Sequence, residues 1–195
     1  MTPADRVIRA MAPHPAVRKI ELAGSRAEGR ASELSDWDLR VETDDFEGLA
    51  EALPALVSEL DPLAQQWDRL SSEWCYMLIL CGPTKVDLIF PEHPHANEPP
   101  WEPSCDNLAD LDAHFWDWML WLHAKEAAGK SELVAAELQK LTVHLLAPLG
   151  STRVPSSIAE AVASYRVARD RAERELQVHV PRELESAVAP RLMPA

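Results

Sequence analysis

From Arg18 to Ala23 polar and apolar residues alternate, with Ile20 and Leu22 on one side, and the run meets Gly24-Ser25. Such a pattern predicts a strand that ends in a tight turn. A second strand is predicted from Asp36 to about Thr43. From Phe46 to Leu60 the apolar positions Leu49, Leu53, Leu56, Val57 and Leu60 recur at helical spacing, a crossover helix that Pro54 either kinks or divides in two. Tyr76 to Leu80 and Lys85 to Phe90, separated by Cys81-Gly82-Pro83-Thr84, predict an antiparallel hairpin. Together these elements make a small α/β unit.

Five prolines between Pro91 and Pro103 break regular structure and predict a linker, with a domain boundary near residue 103. Beyond it the pattern is helical. Leu108, Leu111, Phe115, Trp118 and Leu122 form one stripe, which Gly129 is placed to end. A second helix is predicted from Ser131 to about Ala147, stopped by Pro148 and Gly150, with Val134, Leu138, Leu141 and Leu145 inside. A third opens on the capping-box spacing Ser157-x-x-Glu160, and its pairs Arg169/Glu173, Asp170/Arg174 and Arg171/Glu175 predict a solvated surface. Residues after Val178, with Pro181, Pro190 and Pro194, are expected to form a loosely held tail.

Composition narrows the function classes. With 195 residues, 47% hydrophobic and 26% charged, the chain can bury one good core or two small ones. The longest nearly apolar run, Trp74 to Pro83, is far shorter than the roughly 20 residues of a membrane-spanning helix, and the N-terminus has no signal-peptide h-region. A soluble cytoplasmic protein without a membrane partner is expected. Cys75, Cys81 and Cys105 lack CxxC spacing, which fits reduced structural thiols. A net charge of −13 repels polyanions, so long nucleic acid is an unsuitable partner and a cationic small molecule a suitable one.

The chemistry concentrates between Leu22 and Leu39. Residues two apart in a strand share a face, so Asp36 and Asp38 project together while Trp37 and Leu39 pack opposite. Like charges side by side are unfavourable unless a cation lies between them, and carboxylate oxygens suit Mg²⁺. Found alone, a D-x-D is more often a solvated strand end. Here Gly24, lacking a Cβ, lets the backbone approach a phosphate, and the Ser25 hydroxyl can donate to its oxygens. Asp87 interrupts the apolar run Val86 to Phe90, where an unpaired carboxylate is costly unless something binds it. Its alternative is a partly exposed edge-strand residue. Three acids on adjacent strands beside a Gly-Ser turn fit two-metal phosphoryl transfer, with the ions about 3.5 to 4 Å apart.

The run Gly24-Ser25-Arg26-Ala27-x-Gly29-x-Ala31-x-x-x-Ser35-Asp36-x-Asp38-Leu39, followed by a later strand aspartate, resembles the minimal nucleotidyltransferases of the DNA polymerase β superfamily. The likeness spans residues 17 to 90. The helical remainder is loosely similar to the C-terminal bundles of aminoglycoside and lincosamide nucleotidyltransferases, enzymes of antibiotic resistance. The resemblance implies an α+β fold: a small mixed-sheet nucleotidyltransferase domain over 1–103, a helical bundle over 104–178 that closes one side of the cleft, and a tail over 179–195. It implies transfer of a nucleoside monophosphate, AMP from ATP or the equivalent from another NTP, with two Mg²⁺ ions and pyrophosphate leaving. By position, Gly24, Ser25, Arg26 and Ser35 would hold the nucleotide, Asp36 and Asp38 both metals, and Asp87 the catalytic one.

The acceptor is read from charge. Between Lys85 and Lys125 there is no Lys or Arg, whereas Asp87, Glu92, Glu98, Glu102, Asp106, Asp110, Asp112 and Asp117 are acidic. Trp101, Trp116, Trp118 and Trp121 share the interval, and acids beside aromatic faces suit a cationic or sugar-like ligand. Asp110, His114, Asp117, Trp121 and Lys125 fall on one helical face. Asp112, His114, Asp117, Trp121 and Lys125 are therefore the candidate acceptor-binding residues, and Asp87, Asp112, His114 and Asp117 the candidates for the base. His93-Pro-His95 could bind a metal only together with other donors. Two alternatives stand beside the small acceptor: a protein hydroxyl, as in antitoxin-like members of the superfamily, and a catalytically silent nucleotide-binding sensor. Oligomeric state is not legible.

Overall fold

Thr2 opens the first helix. Its hydroxyl accepts from the Asp5 N–H at 3.1 Å while its own N–H donates to the Asp5 carboxylate at 2.7 Å, a reciprocal cap that precedes α1 (Pro3–Met11). The structure, a computed structural model, describes residues 1–192. The order continues β1 (Val17–Leu22), α2 (Gly24–Ala27), β2 (Trp37–Thr43), α3 (Phe46–Ser58), β3 (Ala64–Trp67), β4 (Glu73–Leu80) and β5 (Thr84–Pro94). Helices follow: α4 (Leu108–Ala127), α5 (Ser131–Leu141), a π-helical turn (Thr142–Leu146), α6 (Ile158–Leu176) and α7 (Glu183–Leu192). The fold is α+β, with a mixed sheet and C-terminal helices. The chain divides into two compact units, Met1–Glu98 and Pro99–Ala195, a division that falls inside the proline-rich segment, ahead of residue 103.

Among the described residues five strands form one sheet in the order β1-β2-β5-β4-β3. β2 and β5 are parallel, and every other neighbouring pair is antiparallel. β3 consequently runs in the direction of β2, and α3 is the crossover between them. Leu49, Leu53 and Val57 of α3 pack with Val7 and Met11 of α1 against Leu39, Val41, Leu78, Val86, Leu88 and Phe90. Pro54 stays inside α3 on its exposed side, where water can satisfy the carbonyl its missing N–H leaves over. Alternation sends Asp38, Asp87 and Met77 to the opposite face, in one row across β2, β5 and β4.

Several elements differ from the sequence pattern. α1 and the short β3 were not signalled by it. β5 runs through Pro91 to Pro94, because the ladder to β4 shifts register between Phe90 and Pro94 and the proline there interrupts no regular pairing. In the second unit the predicted stripe of α4 is buried, but so are Trp116 and Met119, so the helix is covered on more than one side. Val134, Leu138, Leu141 and Leu145 are buried as expected. Ser157 caps α6 by accepting from the Glu160 N–H at 3.1 Å, yet the Glu160 carboxylate turns to the Ser156 N–H and hydroxyl, leaving the expected box half made.

The C-terminal residues require two corrections. Arg169 is not on a solvated surface: it is 3% exposed and its guanidinium bonds Asp112 at 3.4 Å, Asp170 at 3.0 Å and Glu185. Residues 179–192 are not a loose tail. α7 buries Leu184, Val188, Ala189 and Leu192, packs on α4, and is tied to α6 by Arg166–Glu185 at 2.7 Å, while Arg182 ahead of it bonds Glu173 at 2.7 Å. Charges of α6 and of the C-terminal segment are thus paired with one another while the apolar side of α7 is buried. Pro194 lies outside the described residues.

Candidate active site

Asp38 and Asp87 are register partners on parallel β2 and β5, so their side chains leave the sheet side by side. Asp36 lies two residues before Asp38, just ahead of the first residue of β2. The end of β1 meets this pair directly. The Ala23 N–H donates to the Asp38 carbonyl at 2.8 Å, and the chain then turns at Gly24 with φ of +60°. A Cβ on Gly24 would overlap the Asp38 carboxylate and stand 3.3 Å from the Asp38 Cβ. Glycine is what allows backbone and carboxylate this approach.

The face also carries a cation. Lys85 Nζ donates to Asp87 Oδ1 at 2.5 Å, with Lys85 7% and Asp87 9% exposed. Asp87 is therefore not an unpaired carboxylate in an apolar strand: the strand supplies a counter-ion two residues earlier. Lys85 is the site residue that the sequence pattern left unnoticed, although the alternation that joins Asp36 to Asp38 joins Lys85 to Asp87 equally well.

Arg26 turns toward the loop that precedes β2. Its guanidinium donates to the Ser35 carbonyl at 2.6 Å and the Asp36 carbonyl at 3.0 Å, and it stacks 4.0 Å from the Trp37 ring. These bonds shape the backbone that delivers Asp36. The Ser35 hydroxyl accepts from the Ser32 N–H at 2.9 Å. Ser25 is half-buried in the first turn of α2, and its carbonyl accepts from the Arg30 N–H at 2.9 Å. Asp36, Asp38 and Asp87 have the hard-oxygen chemistry of a divalent-ion site, and Asp38 and Asp87 share a face of the sheet. Among the described residues, however, no three His, Cys, Asp or Glu side chains are drawn together tightly enough to hold one.

The acceptor candidates lie on α4 in the second unit. Asp112 points into the helical interior, where its Oδ1 accepts from the Tyr165 hydroxyl at 2.7 Å, Trp116 Nε1 at 3.2 Å and Arg169 Nη1 at 3.4 Å. Burial raises its carboxyl above the ordinary value despite these donors. Burial opposes the Arg169 charge, but Glu185, Asp170 and Asp112 together push its pKa upward. His114 and Asp117 are buried, His114 with its ring centroid 4.7 Å from Trp101 and 5.6 Å from Trp118. Trp121 already carries a cation, Lys125 Nζ at 4.9 Å from its centroid. His93 stacks on Phe46, and His95 Nδ1 lies 3.0 Å from the Ser71 carbonyl oxygen.

Compared with family models and with curated protein sequences, the chain matches none. Among solved structures it is similar to an aminoglycoside 6-adenyltransferase from Bacillus subtilis, at 12% identity over 92% of each chain with a TM-score of 0.37. It is also similar to a chain of the GLD-2/RNP-8 complex, at 17% identity and a TM-score of 0.37, over 71% of this chain and 48% of that one. No helix among the described residues is long and apolar enough to cross a membrane.

Proposed function

We propose that this chain is a nucleotidyltransferase that moves a nucleoside monophosphate, AMP from ATP, to a hydroxyl of a small cationic acceptor. In that reaction the acceptor oxygen forms a bond to the α-phosphorus, the bond to the β-phosphate oxygen breaks, pyrophosphate leaves with that electron pair, and the hydroxyl proton passes to a base. The observation that carries the reading is the register pairing of Asp38 with Asp87 at the point where the Gly24 backbone meets Asp38. Two carboxylates converge there, and the one on Asp38 lies directly against the Gly24 backbone.

Asp36, Asp38 and Asp87 would hold Mg²⁺, which supplies positive charge against the triphosphate. Ser25 would donate to the terminal phosphates, and the bonds from Arg26 to Ser35 and Asp36 keep the loop in place for that contact. Positioning and charge neutralisation are the protein's contribution. A cationic acceptor is favoured by the acidic interval without Lys or Arg between Val86 and Ala124, in which Glu102, Asp106 and Asp110 are exposed while Asp87 and Asp112 are already paired with Lys85 and Arg169.

One observation favours a second reading, a nucleotide-binding sensor that does not turn over: Lys85 already neutralises Asp87. Purified protein incubated with Mg²⁺, each NTP and a panel of aminoglycosides and polyamines separates the two. Pyrophosphate release with a matching mass gain on one acceptor is expected. Nucleotide binding without release would favour the sensor, and absence of both binding and release would remove both readings.

A further inference from the structure

β1 lies at an edge of the sheet: β2 pairs with one side of it, and among the described residues no strand pairs with the other. The phase of its ladder fixes which backbone groups face outward. The Ala23 N–H donates to the Asp38 carbonyl, which makes these two a hydrogen-bonded pair, and the register runs on through Leu22↔Leu39 and Ile20↔Val41 to Lys19↔Glu42. Such pairs alternate in an antiparallel ladder, so Lys19 and Glu21 turn their backbone groups toward β2 while Ile20 and Leu22 turn theirs to the open edge. The edge is also uncovered by side chains. Lys19 and Glu21 are exposed, and Leu22 is a large apolar residue left 38% exposed. Charged side chains usually guard a free edge against pairing. Here the two guards have opposite signs and stand symmetrically about Ile20, with Lys19 Nζ 2.7 Å from the Glu21 carboxylate.

We propose that the β1 edge is a self-association surface, to which a second copy of this chain adds its own β1, antiparallel, about a two-fold axis at Ile20. Few registers are open to such a pair. Outward-facing residues must meet outward-facing residues, so the axis passes through a residue and not between two. Arg18 is displaced by the register shift between Val17 and Lys19, and Leu22 is the last residue of the strand, which leaves Lys19, Ile20 and Glu21 as centres. Centred on Lys19 or on Glu21, the pairing sets that residue against its own copy, like charge against like. Centred on Ile20, it sets Lys19 opposite Glu21 of the second copy and Glu21 opposite Lys19 of the second copy, in the closer, non-hydrogen-bonded positions, while the two Ile20 residues exchange both backbone bonds. Leu22 then lies diagonal to Ile20 of the second copy on the same face, and its exposed side chain gains an apolar neighbour. An edge this short buries less than the roughly 1,000 Å² of a lasting interface, so the association is weak and follows concentration. It is independent of nucleotidyl transfer and stands whether or not that reading holds.

Sedimentation equilibrium of the full chain reads the association, from about 10 µM to about 1 mM protein at an ionic strength near 0.15 M, where a Debye length of about 8 Å screens the repulsion between copies of net charge −13. The mass of the wild type should move from one copy toward two across that range. Lys19→Glu sets acid opposite acid at both contacts, and Glu21→Lys sets cation opposite cation. Each should weaken the dimer on the order of tenfold. The two substitutions together reverse both contacts and should restore it. Mixed in equal amounts, the two single variants should dimerise with each other more strongly than either does alone. Circular dichroism melting curves check that each variant is folded, and should one single variant fail, the other carries the comparison with the double variant. A wild type that stays monomeric at the highest concentration overturns the proposal. So does a dimer that both single variants leave within twofold of wild type, or one that neither the double variant nor the mixture restores.

Discussion

The backbone of Gly24 lies against the carboxylate of Asp38, with no room between them for a methyl group. Because Gly24 also holds φ of +60°, Gly24→Ala meets two obstacles at once. The strained backbone alone costs about 1 to 3 kcal/mol, and the displaced Asp38 should take activity with it. Urea denaturation and pyrophosphate release measured on the same preparation check both halves. A stable, fully active Gly24→Ala would mean that this approach has no functional role.

Asp38→Asn removes charge from the shared face without changing shape. Pyrophosphate release should fall by at least about a hundredfold, since a lost carboxylate weakens the charge-neutralising arrangement at the phosphates. Melting temperature in EDTA should stay level or rise as repulsion from neighbouring carboxylates is relieved. Near-normal turnover at saturating Mg²⁺ would contradict the assignment.

Arg169→Met strands two acids. Asp112 and Glu185 would lose the guanidinium that both contact in the helical unit. Breaking a buried pair from one side costs about 3 to 5 kcal/mol, whereas Tyr165→Phe, which deletes one bond to Asp112, should cost about 1 to 3 kcal/mol. Denaturant midpoints compare the two. Equal midpoints would mean that the guanidinium contributes little beyond packing.

Glu173 titrates against acid unfolding. Hydrogen bonds from Arg182 hold its carboxyl down to about 2 from an ordinary 4.5, with the Val180 N–H adding to the effect. A depressed carboxyl contributes stability that is present above the unfolded value and lost as pH falls through the folded one. Wild type should therefore lose this contribution between pH 4.5 and about 2. Glu173→Gln should be less stable near neutrality and fall less steeply across that interval. Asp112 acts in the opposite sense, because burial raises its carboxyl and protonation relieves that penalty. Melting temperatures of both proteins across this range measure the difference.

The strands around the site and the helices α4 to α6 of the second unit were legible from local pattern, whereas α7 was not. The alternation through Ile20 and Leu22 became β1, the run from Trp37 became β2, and the spacing of Leu49, Leu53 and Val57 became the buried side of α3. The chain reversal at Gly24 was signalled by the glycine itself, and the direction of Asp38 by strand alternation, a property of neighbouring residues alone. α1 escaped because its reciprocal cap, Thr2 with Asp5, carries the acid as Asp rather than the usual Glu or Gln.

What the chain's own residues determined is which faces exist. What only the tertiary structure decided is what meets each face. The parallel register that sets Asp38 opposite Asp87 depends on how α3, β3 and β4 route the chain back to β5, and no local pattern records it. Arg169 and Glu173 stand at the spacing of an exposed helical ion pair, yet Arg169 is buried with Asp112 and Glu185 while Glu173 bonds Arg182. Periodicity specifies direction from the backbone. Whether a charge pointing that way finds water, an opposite charge or another strand is settled by residues far along the sequence, through the cost of enclosing a charge without a partner.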